Sequence, residues 1–308
     1  MGNPAYYPTR PVHTARPPSP QSLGPQRLCS RLTGAIRAPP WRLPHTFGSQ
    51  SLVDSNFPIY EDLMQVAVVV PTYNEAGNIA RLVEQIFDAT PDAHVLVVDD
   101  ASPDGTAAVV SQLADSHPQL HLLQRPGKLG LGTAYLAGFK WADEGGFDVV
   151  MSMDADFSHD PHDIPRLLAR LAARQADLVI GSRYVPGGRI SGWRFGRKVL
   201  SWGANRLCHL ALGLPVRDCT AGFRAYRVSA VLQIGQMMET HGYAALVELL
   251  VLLTRAGFEV DEIPVHFANR TVGSSKMAPH DVANGLRTVI RLARADRNAR
   301  QSVKPQRT

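Results

Sequence analysis

The sequence predicts an α/β fold: a doubly wound, mostly parallel sheet with helices on both faces. Two observations carry the prediction. Between residues 66 and 180, five short apolar runs alternate with segments of helical character, and such β–α alternation implies right-handed crossovers. The polar clusters PTYNE, DDASPDGT and DADFSHD follow the first, second and fourth runs. They therefore fall at the carboxyl ends of strands, where open α/β sheets bind ligands.

Each element follows in order. Val66–Val70 is a short apolar run of the kind found in a central parallel strand. Pro71–Asn74 is a turn, and Asn74 or Glu75 can open a helix reaching about Asp88. His94–Val98 is the second strand, followed by turn chemistry at Ser102-Pro103-Asp104-Gly105. Leu120–Leu123 is a third strand, Gly130–Glu144 a helix, Phe147–Met153 the fourth strand, Ile164–Arg174 a helix and Ala176–Ile180 the fifth strand. After Gly181 the pattern changes. Trp193–Leu212 reads as an amphipathic helix with a basic and aromatic face. A helix near 242–256, a strand over 258–267, a loop over 269–277 and a last helix over about 280–297 follow. The last helix places Arg287, Arg291 and Arg294 on one face.

The chain carries 32 basic and 27 acidic side chains, but the excess is local. Residues 1–50 hold six arginines, ten prolines, no lysine and no acid, and without them the net charge is −1. Residues 1–62 are expected to be a disordered Arg/Pro-rich tail. Three readings of it are open: a targeting segment, a basic arm for an anionic surface, or an untranslated stretch ahead of Met64. The folded domain is expected over 63–298, and a disordered C-terminus over 299–308. The near-neutral body argues against nucleic acid as partner. Cys29, Cys208 and Cys219 lack CxxC spacing and are odd in number, which favours a reducing compartment over a disulfide framework. No run approaches the roughly 18–20 apolar residues needed to span a bilayer. The segment Tyr243–Phe258 is interrupted by Glu248 and Arg255 and reads as a core helix.

The chemistry centres on MDADFSHDP. Asp154 and Asp156 lie two apart in an extended stretch, so they face one side and repel unless a cation or proton lies between them. Mg²⁺ or Mn²⁺ takes one or two carboxylates and fills its shell with water and phosphate oxygens, which fits a site for a diphosphate. The competing reading is two solvated acids capping the next helix. Asp160, His159 and His162 look like the start of that helix rather than ligands. At the second strand, Asp99 or Asp100 can accept from a ribose or base, or cap the helix after Gly105. GKLGLG (127–132) is not a Walker loop, because Lys128 precedes the glycines. It more readily opens a helix packed closely on the sheet, with Lys128 near a nucleotide as the lesser possibility.

Taken together, PTYNE (71–75), VDDASPDGT (98–106), GKLGLGTAY (127–135), MDADFSHDP (153–161), GSRY-x-x-GG (181–188), the set Trp193, Arg197, Ser201 and Ala204-Asn205, DCTAGFRAYR (218–227) and GSSK (273–276) resemble the dolichol-phosphate mannosyltransferase family. These enzymes are also called polyprenol monophosphomannose synthases, and they are family 2 inverting glycosyltransferases of GT-A fold. The resemblance implies GDP-mannose as donor, a polyprenyl or dolichyl phosphate as acceptor, and Mg²⁺ or Mn²⁺ as cofactor. It places Pro71, Tyr73, Glu75 and Asp100 around the nucleotide, with Lys128 and Asp154 as further candidates. It puts Asp154 and Asp156 on the metal, with Ser158 at a position where many relatives carry Gln. Arg183, Arg197, Ser201, Arg224 and Lys276 are implied near the acceptor phosphate, and Asp156, Arg183 and Lys276 are the candidates for catalysis. It further implies a peripheral enzyme on the cytoplasmic side of a membrane, open to a separate membrane subunit; Trp193–Leu212 and the last basic helix either lie on anionic lipid or pack as ordinary amphipathic helices against the sheet. Rival readings are transfer from a UDP-sugar to the same lipid, and a non-catalytic nucleotide- or nucleic-acid-binding protein.

Overall fold

The computed structural model describes residues 64–240, 242–269 and 279–302. The expected tail over 1–62, most of the GSSK loop and Lys276 lie outside the described residues. The first half of the chain is β1 (Val66–Thr72), α1 (Ile79–Ala89), β2 (His94–Asp99), α2 (Thr106–Ala114), β3 (Leu120–Gln124), α3 (Leu131–Glu144), β4 (Val149–Ser152), a 3₁₀ turn (Pro161–Asp163), α4 (Ile164–Ala173) and β5 (Leu178–Ser182). The second half adds β6 (Arg189–Ile190), α5 (Phe195–Leu212), β7 (Arg224–Arg227), α6 (Val228–Gly235), α7 (Ala245–Arg255), β8 (Val260–Pro264), β9 (His266–Phe267) and α8 (Pro279–Ser302).

The main sheet runs β3-β2-β1-β4-β7-β5-β8. β7 is antiparallel to both β4 and β5, and the other pairs are parallel. The doubly wound, mostly parallel prediction therefore holds. β7 lies between β4 and β5, so β5 does not neighbour β4. RAYR offers no apolar run to mark it as a strand, and its place comes from the partners on either side. β6 and β9 form a separate parallel pair.

Side chains of β1 alternate between two cores. Val66, Val68 and Val70 join Ile79, Leu82, Val83 and Ile86 of α1 and Ile164, Leu167 and Leu171 of α4. Ala67 and Val69 join Tyr135 and Phe139 of α3 and the buried face of α7. Each helix presents residues spaced three and four apart, the stripe a sheet face requires. Gly138 lets α3 lie against β1, because a Cβ there would overlap the Val69 methyl carbons. The expectation that GKLGLG opens a closely packed helix is met.

Three boundaries move. α1 begins at Ile79 rather than at Asn74 or Glu75, because Asn74 has φ 58° and the Glu75 carbonyl accepts from both Asn78 and Ile79 N–H. The expected 258–267 strand divides into β8 and β9 around Val265. α8 runs to Ser302, so the chain stays helical past residue 298. α7 is the expected core helix: Glu248 is buried and paired with Arg291 of α8 at 2.6 Å. Arg291 thus leaves the basic face expected of the last helix and turns inward to Glu239 and Glu248. Among the described residues no helix is long and apolar enough to cross a membrane.

Candidate active site

Three loops at the carboxyl ends of β1, β2 and β4 form one rim. Each holds a non-glycine residue at positive φ: Asn74 (58°), Ala101 (53°) and Phe157 (58°). Such backbone costs free energy and collects where geometry must be exact. Hydrogen bonds tie the first two loops together. Asn74 N–H donates to Ser102 Oγ, Glu75 N–H to Thr106 Oγ1 and Ala76 N–H to Asp104 Oδ2, each at 3.0 Å.

The two aspartates after β2 have separate tasks. Asp99 is fully buried and accepts from Thr72 Oγ1 at 2.9 Å and from the backbone N–H of Ser102 at 2.9 Å. It builds the turn rather than facing a ligand. Asp100 forms a buried ion pair with Arg125 and accepts from Leu129 N–H at 3.2 Å. Arg125 then reaches Thr133 Oγ1 and the Gly130 carbonyl at the start of α3. Asp100 therefore joins the Lys128 loop to the rim, a structural duty the expected ribose contact left out. Asp104 accepts from Thr106 N–H and Oγ1 and caps α2, as its turn chemistry suggested. Exposed Lys128 lies 4.6 Å from the centroid of the Tyr73 ring, so these two nucleotide candidates meet. Pro71 and Glu75 are half-buried on the same loop, where Glu75 Oε2 accepts from Asn78.

After β4, Asp154 is half-buried and Asp156 buried. Asp156 Oδ1 accepts from Ser158 N–H at 3.1 Å, and Asp154 Oδ1 accepts from Tyr135 O–H at 3.2 Å. Burial and the charge of Asp154 push the Tyr135 phenol well above its usual pKa, so it stays a donor. His159 is buried beneath the loop, stacked on Phe223 at 5.1 Å, with Nδ1 facing Asp154 N–H at 3.4 Å. Burial holds its pKa below the ordinary imidazole value despite the nearby acids, which matches a neutral acceptor. His159 thus gains a place at the site, which its sequence position had not suggested. Asp160 and His162 do not: Asp160 caps the 3₁₀ turn by accepting from His162 N–H.

The residues present fit a divalent ion. Asp154 and Asp156 supply two carboxylates, and the buried Ser158 hydroxyl lacks a partner among the described residues. Also among the described residues, no group of three or more His, Cys, Asp or Glu is arranged to hold a metal. An ion here would rely on the two aspartates and complete its shell with water and ligand oxygens.

The candidate arginines separate by burial. Arg183, just past β5, donates to both oxygens of Asp218 at 2.7 and 2.6 Å and to Thr220 Oγ1 at 2.6 Å. Burial alone would lower its pKa, but the Asp218 charge and hydrogen bonds raise it. Burial likewise pushes Asp218 up, and Arg183 more than reverses this. Phe267 links Arg183 to the acid loop: its ring lies 5.3 Å from the guanidinium and meets His159, which faces Asp154 N–H, edge-on at 5.4 Å. Arg197 lies over the Trp193 ring at 4.1 Å, and Tyr184 O–H donates to Ser201 Oγ at 2.8 Å. Arg224 is a correction. It is fully buried and donates to the carbonyls of Ala221, Leu246 and Cys219 at 2.7–2.8 Å, so it braces the loop instead of facing an acceptor. Sequence reasoning missed Arg125, Tyr135, His159 and Asp218. Tyr135 and Asp218 lay in quoted motifs, but nothing local marked their partners.

An open α/β sheet with a polar rim at its strand ends and a paired-aspartate loop suits a phosphate-bearing ligand held with a divalent ion. Residues 67–235 match the model for glycosyl transferase family 2, and the chain belongs to that family. It is 43% identical over 235 residues to an undecaprenyl-phosphate mannosyltransferase of Micrococcus luteus, covering 76% of this chain and 96% of that protein. It is also 43% identical over 221 residues to a polyprenol monophosphomannose synthase of Mycolicibacterium smegmatis, covering 71% of this chain and 83% of the relative. The resemblance read from the motifs is borne out. A glucosyl-3-phosphoglycerate synthase from Mycobacterium tuberculosis, solved with Mn²⁺, UDP and phosphoglyceric acid, shares the fold with a TM-score of 0.55. That likeness has 19% identity and covers 75% of this chain and 77% of that one.

Proposed function

We propose that this chain transfers mannose from GDP-mannose to a polyprenyl phosphate of dolichyl type, with inversion, giving polyprenyl-phosphate mannose and GDP. The observation that carries the reading is that one ring, Phe267, meets both His159 under the Asp154–Asp156 loop, at 5.4 Å, and the Arg183 guanidinium, at 5.3 Å. The names of the two relatives favour the lipid phosphate and the mannose. Asp154, Asp156 and Ser158 would hold a divalent ion, Mg²⁺ or Mn²⁺, which would supply positive charge to a departing diphosphate. Tyr73, Lys128, Pro71 and Glu75 shape the nucleotide side of the rim, with Asp100 fixing the Lys128 loop.

The acceptor is a phosphate monoester with a second pKa near ~6, so it is an anionic nucleophile at neutral pH and requires no general base. Its oxygen forms the new bond to the anomeric carbon from the face opposite GDP, and the bond to the GDP oxygen breaks. The protein gathers two anionic phosphates by positive charge from Arg183, Arg197 and Lys276, with Ser201 as a hydrogen-bond donor. Arg183 suits this role because Asp218 and Thr220 fix its plane.

The acceptor's hydrocarbon tail calls for contact with a membrane surface. Phe195, Trp202 and Leu210 of α5 are 81%, 59% and 66% exposed, beside Arg194, Arg197, Lys198 and Arg206. Val282, Leu286 and Ile290 form an exposed apolar stripe on α8 near Arg287 and Arg294. Apolar side chains bordered by basic ones suit anionic lipid. The enzyme works peripherally on the cytoplasmic side, where the buried free thiols of Cys208 and Cys219 stay reduced. A separate membrane subunit is compatible with these surfaces. Residues 1–62 are dispensable for transfer.

The test is purified protein with polyprenyl phosphate, Mg²⁺ or Mn²⁺ and a panel of labelled nucleotide sugars. GDP-mannose is expected to label the lipid, and Asp154→Asn and Asp156→Asn to abolish labelling without loss of fold. Labelling from a UDP-sugar instead would replace the donor, and full activity of either variant with EDTA present would remove the metal.

A further inference from the structure

The carboxylate of Asp154 is held from two sides by residues that carry no role in the scheme above. On one side is Tyr135, in the second turn of α3, whose hydroxyl donates to Oδ1 at 3.2 Å. Tyr135 is 2% exposed and stacks on Phe139 at 6.2 Å with a 15° interplanar angle. Phe139 in turn meets Tyr226 edge-on at 5.2 Å. α3 has no freedom to slide, because Gly138, three residues on, lies against Val69 of β1 with no room for a side chain. On the other side is Gly222, where a Cβ would sit 3.3 and 3.4 Å from the two Asp154 oxygens. Gly222 is anchored by its carbonyl, which accepts from Ser152 Oγ at 2.7 Å. Ser152 ends β4, two residues before Asp154, so both supports are built on the sheet itself.

We propose that Tyr135 is a positioning residue for the metal-binding carboxylate, and that Gly222 is the wall against which Tyr135 holds it. This rests on the metal reading of Asp154 and Asp156. A free aspartate samples several orientations, and ordering it costs free energy whenever an ion binds. A phenol bonded to one oxygen, with little room at Gly222 for a side chain beside the carboxylate, sets the plane of the group before the ion arrives. Outer partners of ligating carboxylates act this way in general, and losing one costs about 10–100-fold in metal affinity. Tyr226 supplies an internal comparison. Its hydroxyl is also buried in the same aromatic cluster, yet it has no hydrogen-bond partner among the described residues. Removing it perturbs packing without touching Asp154.

The experiment is Mn²⁺ titration of the full chain in the presence of GDP, followed by the electron paramagnetic resonance signal of free Mn²⁺, with melting temperatures recorded alongside. Tyr135→Phe is expected to raise the Mn²⁺ dissociation constant about tenfold, the low end for an outer-shell partner. Tyr226→Phe is expected to leave it unchanged. Gly222→Ala, whose methyl pushes on the carboxylate, is expected to raise it as well and tests the same support if Tyr135→Phe folds poorly. An unchanged Mn²⁺ constant in folded Tyr135→Phe overturns the proposal, whatever happens to its melting temperature. An equal loss in Tyr226→Phe also overturns it, since that assigns the effect to packing. Wild type that takes up no Mn²⁺ refutes the metal reading itself, and this inference with it, so the two failures are told apart by the wild-type titration.

Discussion

Asp218→Asn isolates the support beneath Arg183. The carboxylate is fully buried and accepts from the Arg183 backbone N–H at 3.0 Å and from two guanidinium nitrogens at 2.7 and 2.6 Å. Asparagine keeps the shape but removes the charge and turns an NH₂ toward a donor. Arg183 is then a buried cation without a counter-ion. Breaking a buried pair by removing one partner costs about 3–5 kcal/mol. Against a typical total of about 5–15 kcal/mol, that is roughly a fifth or more of the stability. For a domain of this size it lowers the melting temperature by roughly 6–20 °C. Urea unfolding followed by far-ultraviolet circular dichroism should show a lower midpoint with unchanged slope. Adding Arg183→Met removes the orphaned cation, so the double variant should be more stable than Asp218→Asn alone while transferring no mannose. The pH dependence has a definite sign. Burial raises the Asp218 pKa but pairing with Arg183 outweighs it, so the folded value is depressed. Its contribution is then complete above about pH 4 and drains away as pH falls through the folded value, an acid limb that Asp218→Asn should lack. A midpoint equal to wild type, or a double variant as unstable as the sum of its parts, would refute the reasoning.

Arg224→Lys should destabilise by about 2–6 kcal/mol, since lysine reaches one of three buried carbonyls and orphans two at about 1–3 kcal/mol each. In whatever fraction folds, the KM for the lipid acceptor should stay at the wild-type value, which separates a brace from a ligand. His121 gives a second pH limb. Burial and the ring of His94, 3.0 Å away nitrogen to nitrogen, hold its pKa below the usual imidazole value. The fold therefore binds fewer protons than the unfolded chain, and stability complete above about pH 6.5 is lost as pH falls below it. Melting temperatures between pH 7.5 and 5.5 should show this slope, and His121→Phe should flatten it in part, because buried His159 adds a slope of the same sign.

The strands announced themselves where burial on both faces forced an uninterrupted apolar run, as in Val66–Val70 and His94–Val98. β7 did not, because its identity is non-local. Arg224 can sit inside a sheet only because the carbonyls of Cys219, Ala221 and Leu246 converge on it, and Leu246 is 22 residues away. The same blindness affected the arginines as a class. Sequence position did not separate them: Arg224 is buried among carbonyls, half-buried Arg291 pairs with Glu239 and Glu248, and Arg197 lies at the surface. Asp99 and Asp100 posed the matching problem among acids. Adjacent in sequence, they point to different partners, and only the fold shows that one ties a turn and the other a distant loop through Arg125.

The rim itself shows why a site can be legible when its geometry is not. PTYNE, DDASPDGT and MDADFSH stood out by composition, since acids at the ends of buried strands are costly without a purpose. Asparagine tolerates the left-handed region at 74, but nothing in Ala101 or Phe157 signals positive φ, which is unfavourable for both. These conformations persist because hydrogen bonds within and between the loops hold them: Ser102 Oγ holds Asn74 N–H from the neighbouring loop, Asp99 holds Ser102 across Ala101, and Asp156 Oδ1 takes the N–H of Ser158 across Phe157. Local preference is overruled at three separate strand ends in one direction, toward a fixed array of acids and backbone groups. An array ordered before its ligand arrives needs no rearrangement as charge shifts to the leaving diphosphate, and that is the condition under which fixed dipoles and charges contribute most to catalysis.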